Sequence, residues 1–184
     1  IDHTISILKK HFNWESSLKH LKEFDSLENR ISNSSSLIIT VPHSGRLYEA
    51  KFLDQTGLDI GELRKTEDHY IDLLFDDDKL NYNFVKANFP RIFVDVNRSP
   101  LEIDQSMWKM NSNLIKTNYF NSTKVQAGIG VIPKYSYNGK KIYDTKLSFS
   151  EARNRLLNYY FPYHKVLKFL IKTIKFKYKN VVAL

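Results

Sequence analysis

Strand-length apolar runs alternating with longer amphipathic stretches predict an α/β protein, a mixed sheet flanked by helices. Three observations carry that class. Ser36-Leu37-Ile38-Ile39-Thr40-Val41 is an almost unbroken apolar run that ends in a Pro-His-Ser-Gly turn, as a buried strand does. A helical stretch over 61–75 is followed by two further strand-like runs, 84–88 and 91–96. A long amphipathic helix near the end of the chain opens with the capping box Ser148-Phe149-Ser150-Glu151.

Taken in order, Leu18, Leu21, Phe24 and Leu27 among Lys, Glu and Asp predict a first helix on the outside of the domain. Residues 29–35 form a polar, serine-rich connector to the buried strand. Residues 44–57 read as a surface loop, and 61–75 as a helix turning Leu63, Tyr70, Ile71 and Leu74 to the core. Asp76-Asp77-Asp78 reads as the solvated end of that helix, since the spacing of a calcium loop is absent. The runs 84–88 and 91–96 are expected as neighbouring strands. Gly128, Gly130 and Pro133 mark a tight backbone path, and Asn138-Gly139 a hairpin-type turn between 131–132 and 142–143. Pro162 should kink or divide the final helix, and Val181-Val182-Ala183-Leu184 reads as a last strand.

With 184 residues, 42% of them apolar and no shift in composition, residues 1–184 are expected to form a single domain. No run has the roughly 18 apolar residues of a membrane span, and the first residues do not resemble a signal peptide. The absence of cysteine excludes disulfides and thiolate-bound zinc while leaving histidine and carboxylate sites open. A cytoplasmic protein is the simplest reading. The net charge of +8 is concentrated in Lys165, Lys168, Lys172, Lys175, Lys177 and Lys179, interleaved with apolar residues as on the solvated face of a helix. Nucleic acid and membrane are therefore not the expected partners, and no aromatic RNA-binding signature is present.

The residues with chemical potential gather at the ends of the expected strands. His43 follows the first of them, at the carboxyl edge where open α/β sheets bind ligands, and histidine there is a natural metal ligand. A catalytic zinc keeps three protein ligands and one open position, commonly histidines with a carboxylate. Asp68 is the candidate carboxylate, with Glu67 as runner-up because neighbours on a helix point about 100° apart. Asp68 also suits a plain helix-start carboxylate. His69 is expected to be exposed. Asn97 and Arg98 end the expected strand 91–96, and an arginine fork matches a carboxylate bidentately. Asp95 either orients Arg98, accepts from a metal-bound histidine, or pairs structurally with an arginine such as Arg91. Arg155 and His164 lie about two and a half turns apart on the final helix, where both can face inward. For His164 a buried bridge from the kinked helix to the sheet is the commoner explanation, and Tyr159-Tyr160-Phe161 reads as core.

In this order and spacing, Val41-Pro42-His43-Ser44-Gly45, Glu67-Asp68, the segment from Phe89 to Pro100, Ala127-Gly128-Ile129-Gly130-Val131-Ile132-Pro133, and Arg155 with Pro162-Tyr163-His164 resemble the N-formylglutamate amidohydrolase family, from about Leu37 to the last residue. The resemblance implies a zinc-dependent hydrolase that removes a formyl or small acyl group from an N-acyl amino acid such as N-formylglutamate. It implies a fold similar to zinc carboxypeptidase-like hydrolases, His43 and Asp68 as metal ligands, and Asn97, Arg98, Arg155 and His164 as substrate-binding residues. In that family the strand matching 181–184 leads into an Asp-x-His-Ser segment whose histidine is a ligand. The resemblance therefore implies a domain truncated at the C-terminus, with the third ligand and a general-base glutamate expected beyond Leu184. The alternative is an inactive fragment or degenerate relative that retains a carboxylate-binding cleft.

Overall fold

The computed structural model describes residues 35–75, 81–109 and 122–184. The expected first helix and the Asp76-Asp77-Asp78 run lie outside them. β1 (Leu37–Val41) is the central strand of a three-stranded sheet, with β2 (Asn83–Lys86) on one side and β5 (Val182–Ala183) on the other. Both neighbours run parallel to it, with Ile38 opposite Asn83 and Ala183. The expected mixed sheet is thus corrected: these strands are all parallel. Among the described residues, antiparallel pairing is confined to the isolated bridges Thr56 to Tyr143 and Tyr135 to Lys141. The physical reason is burial on both faces. Ile38 and Val85 join the main core, while Ile39, Val41 and Phe84 form a smaller cluster on the opposite side.

The expected helix over 61–75 is broken into two short pieces, α2 (Ile60–Arg64) and α3 (Ile71–Leu74). Leu63 is buried as expected, but Tyr70, Ile71 and Leu74 are exposed. Thr66 Oγ1 donates to the carbonyl of Leu63 at 2.8 Å and stops the first piece. Tyr70 then sits in the left-handed region at φ 62°, which restarts the chain in a new direction. The expected loop 44–57 holds a helical turn of its own, α1 (Ala50–Leu53), anchored by the buried Phe52.

The run 91–96 is not a strand. The N–H groups of Phe93 and Val94 both donate to the carbonyl of Pro90, and Asp95 N–H donates to Val131 O at 2.8 Å. Proline at 90 pre-sets a turn, and Ile92, Phe93, Val94 and Val96 are all buried in the main core without a strand's alternation. After a 3₁₀ turn (Gln105–Met107), a minor parallel pair is formed by β3 (Trp108–Lys109) and β4 (Leu147–Ser148), with α4 (Thr123–Gln126) between them in sequence. Asn138-Gly139 does make a turn, with Gly139 at φ 72° and Ser136 N–H donating to Lys140 O.

Ser148 caps α5 (Phe149–Arg155) by accepting from Glu151 N–H. The helix passes through a π-helical turn (Leu156–Tyr160) into α6 (Phe161–Tyr178). Pro162 has no N–H to donate, and the wider π-helical turn just before it takes up the break. Leu170 and Ile174 pack α6 into the core shared with Ile38 and Val85. Each such side chain contributes about 1.5–3 kcal/mol relative to exposure. No helix among the described residues is long and apolar enough to cross a membrane.

Candidate active site

The site is built where β1 ends. Two bonds stitch the turn after β1 to the connection between α2 and α3: Asp68 N–H donates to His43 O at 3.0 Å, and Ser44 Oγ donates to Asp68 O at 2.6 Å. These tertiary bonds explain why Thr66 to Tyr70 leaves the helix, and they bring the Asp68 carboxylate to His43. Gly45 runs so close to the chain leaving β2 that a Cβ there would overlap the carbonyl oxygens of Phe89 and Ala87.

His43 is buried between two carboxylates. Its Nε2 lies 2.9 Å from Asp95 Oδ1, and its Nδ1 lies 3.4 Å from Asp68 Oδ2. A carboxylate accepts only, so Nε2 carries the proton given to Asp95. Nδ1 faces Asp68 Oδ2, where a ring protonated on that nitrogen donates to the carboxylate and a ring unprotonated there offers its lone pair to a cation shared with it. Two donor atoms bound to one tetrahedral ion at about 2.0 Å stand about 3.3 Å apart, so the spacing suits a shared cation. The Asp95 hydrogen bond at the far nitrogen is the usual partner of a metal-binding histidine.

Asp95 is the hub. Arg91 Nη2 donates to its Oδ2 at 2.9 Å, Asn97 N–H donates to Oδ1 at 2.9 Å, and Arg98 Nε stands 3.7 Å from Oδ2. Burial pushes the Asp95 carboxyl up, but the bond from His43 and the charges of His43 and Arg91 outweigh it and hold the group at about 2. Arg91 also lies 3.6 Å from Asp68, so one guanidinium spans both carboxylates that flank His43. Asp95 thus contacts His43, Arg91 and Arg98 together, where sequence left three roles open.

Of the residues weighed in the sequence, His43, Asp68, Asp95 and Arg98 are brought together. Asp68 is half-exposed, whereas Glu67 is buried and accepts from Tyr48 at 2.7 Å. Burial first, and then that carboxylate, push the Tyr48 hydroxyl well above the usual phenol range. His69 is exposed, as expected, and lies 3.7 Å from Glu67. Asn97 is exposed and contributes its backbone N–H to Asp95.

Arg155 is packed into the core. It is 1% exposed, and it donates to Glu151, Phe93 O, the Tyr143 hydroxyl and Gln55, with its guanidinium 4.3 Å from the centre of the Phe93 ring. That is a core cross-link, made because α5 turns this face inward before the π-helical turn. His164 is part-buried and donates from Nε2 to Val96 O at 2.8 Å, so it bridges helix and loop. Tyr143, Ser44 and Tyr160 were missed as polar partners; only Ser44, inside the turn motif, carried a signal.

The N-formylglutamate amidohydrolase family model matches residues 35–184, which agrees with the resemblance read from the motifs. Among solved structures, the crystal structure of N-formylglutamate amidohydrolase from Ralstonia eutropha JMP134 is similar, at 27% identity and a TM-score of 0.75, over 84% of this chain and 54% of that one. The chain spans about half the length of that protein. No curated protein matches it.

Proposed function

We propose, from the fact that this chain belongs to the N-formylglutamate amidohydrolase family, that its cleft serves the zinc-dependent removal of a formyl or other small acyl group from an N-acyl amino acid such as N-formylglutamate. The observation that carries this reading is His43 held between Asp95 and Asp68, with Nδ1 and Oδ2 at the spacing of two ligands of one ion. His43 and Asp68 would hold the zinc. When bound, zinc supplies a polarised amide carbonyl and an activated water. Asp95 fixes the tautomer and direction of His43, and the Arg91 guanidinium bridges Asp68 and Asp95. Arg98, 22% exposed at the rim, receives the substrate carboxylate.

Among the described residues no group of three His, Asp or Glu gathers as a metal site. On this reading a third ligand would come from residues following Leu184. Because β5 runs parallel to β1 with Ala183 opposite Ile38, residues continuing past Leu184 in the same register would pass beside Thr40 to His43. A second reading is an inactive relative with a carboxylate-binding cleft, for which Arg98 at the rim would suffice.

The test is metal content. A chain extended through an Asp-x-His-Ser segment should carry about one zinc, and His43→Ala should abolish it. Unchanged zinc in that variant removes His43 from the ligand set. The chain ending at Leu184 should hold zinc weakly, and stoichiometric zinc surviving dialysis would bring Glu67 or His69 back as a ligand. Zinc without turnover of N-formyl-L-glutamate in the extended chain selects the second reading.

A further inference from the structure

We propose that Tyr160 is a positioning residue for Arg98, acting through the Arg98 backbone carbonyl from the π-helical turn. The proposal rests on the reading that Arg98 receives a carboxylate. Arg98 Nε is buried without a hydrogen-bond partner, and Asp95 at 3.7 Å is beyond bonding distance. The direction of this side chain is therefore set largely by where its backbone is held. That backbone is held from two sides. Arg98 N–H donates to Asp95 O at 3.1 Å, and Asn97 N–H donates to the Asp95 carboxylate. From the helix, the Tyr160 hydroxyl donates to Arg98 O at 2.8 Å, and His164 donates to Val96 O at 2.8 Å.

The helix supplies both donors because of its irregular turn. Tyr160 and His164 are four residues apart with ring centres 4.4 Å from each other, so they form one face. Phe161 N–H reaches back to Leu156 O, and this added residue in the turn rotates the rest of the helix by about 100° relative to a regular one. Arg155 before the turn consequently faces the core, while Tyr160 and His164 after it face the segment 96–98. Tyr160 is buried, and its hydroxyl is kept protonated by burial and then by the nearby Asp95 and Glu102 charges. Burial likewise lowers the His164 imidazole, so it stays neutral with the proton on the nitrogen facing the carbonyl.

The experiment uses the full-length enzyme and glutarate, a plain dicarboxylate, with binding measured by calorimetry for wild type, Tyr160→Phe, Arg98→Lys and the double variant. Tyr160→Phe keeps the ring and removes only the donor, and it should weaken glutarate about tenfold. Arg98→Lys should weaken it more, and the double variant no further than Arg98→Lys alone, because one residue acts through the other. On N-formyl-L-glutamate, Tyr160→Phe should raise KM more than it lowers kcat. Unchanged glutarate binding in Tyr160→Phe, or losses that multiply in the double variant, would overturn the proposal. The position of Arg98 is also read directly, from hydrogen exchange of its Nε–H by NMR, which Tyr160→Phe should speed at least about tenfold. If wild type fails to bind glutarate while that exchange is accelerated, the carboxylate reading falls and the positioning stands. Unchanged exchange overturns the positioning whatever binds. Should Tyr160→Phe not fold, His164→Ala should weaken glutarate and His164→Gln, which keeps an N–H donor, should restore part of it; equal losses in both count against the proposal.

Discussion

Two charged clusters, one around Arg155 and one around His43, share ingredients and differ in how completely they are satisfied. Around Arg155 each guanidinium nitrogen meets a protein acceptor, three aromatic rings surround it, and the side chain is sealed from solvent. Around His43 the pieces stop short of each other: Asp68 faces a ring nitrogen at 3.4 Å, Arg98 Nε has no acceptor, and Asp68 is half-exposed. Burying an unpaired polar group costs about 1–3 kcal/mol, so the incomplete pairing around His43 and Arg98 serves the fold less well than the sealed pairing around Arg155. Arg155, with the same chemistry, serves the fold.

The sharpest way to break this contrast is Arg155→Met. It should strand the buried Tyr143 hydroxyl and weaken the hold on Glu151, at a cost of about 3–5 kcal/mol, which for a chain of this size lowers Tm by about 6–20 °C. Thermal and urea unfolding measure it, and substrate KM of the remaining folded protein should not move. A stable variant with raised KM would instead return Arg155 to the substrate.

Arg98→Lys should do the reverse. Replacing the planar fork by a point charge should lower kcat/KM on N-formyl-L-glutamate at least about thirtyfold, or about 2 kcal/mol, with zinc and Tm little changed. A sharp fall in Tm with turnover intact would make Arg98 a structural partner of Asp95.

The smallest effect separates the clusters by pH. The part-buried His164 is lowered by burial from its usual value of about 6.5, so near that pH the unfolded chain binds the proton that the folded chain refuses. Stability is full above about 6.5 and declines as pH falls toward the folded value. Urea midpoints between about pH 5 and 8 should show this slope, and His164→Gln should flatten it. Burial raises the Glu151 carboxyl, but Lys51 and Arg155 outweigh that and hold it low, so the sealed cluster should add no slope in this window.

The contrast also shows what the sequence made legible. β1, the turn carrying His43, the Ser148 cap and the last strand were readable because a buried parallel strand needs an unbroken apolar run and a helix start needs an acceptor three residues ahead. The breaks in 61–75 and 91–96 were not. In the first, Asp68 and Ser44 bond to each other's distant segments, and local periodicity carries no record of that. In the second, Ile92 to Val96 is buried on every side, and an apolar run with that burial fits a turn started by Pro90 as well as a strand. The pairing of His43 with Asp68 was readable in type, and its geometry came only from the two backbone stitches. Arg155 does face inward as its place on the helix allowed, but its ring partners Phe52, Phe93 and Tyr143 come from distant segments that helical spacing does not reveal. Tyr160 was read as core, correctly for its ring, while its hydroxyl left no trace in the pattern.

Gly45 constrains how the surroundings of His43 change over time. Its φ is unremarkable, so nothing in its own backbone demands glycine; the demand comes from the carbonyls of Ala87 and Phe89 across the gap. Those are main-chain atoms and cannot rotate aside as a side chain would. Even a methyl group at position 45 would have to separate the chain leaving β1 from the chain leaving β2, carrying His43 away from Asp95. Substitutions at Asp68 or Arg98 alter one group each and leave intermediate variants open to selection, whereas position 45 offers no such gradual route. Lineages that lost the chemistry at His43 would therefore still be held to glycine here by the packing of two strand exits.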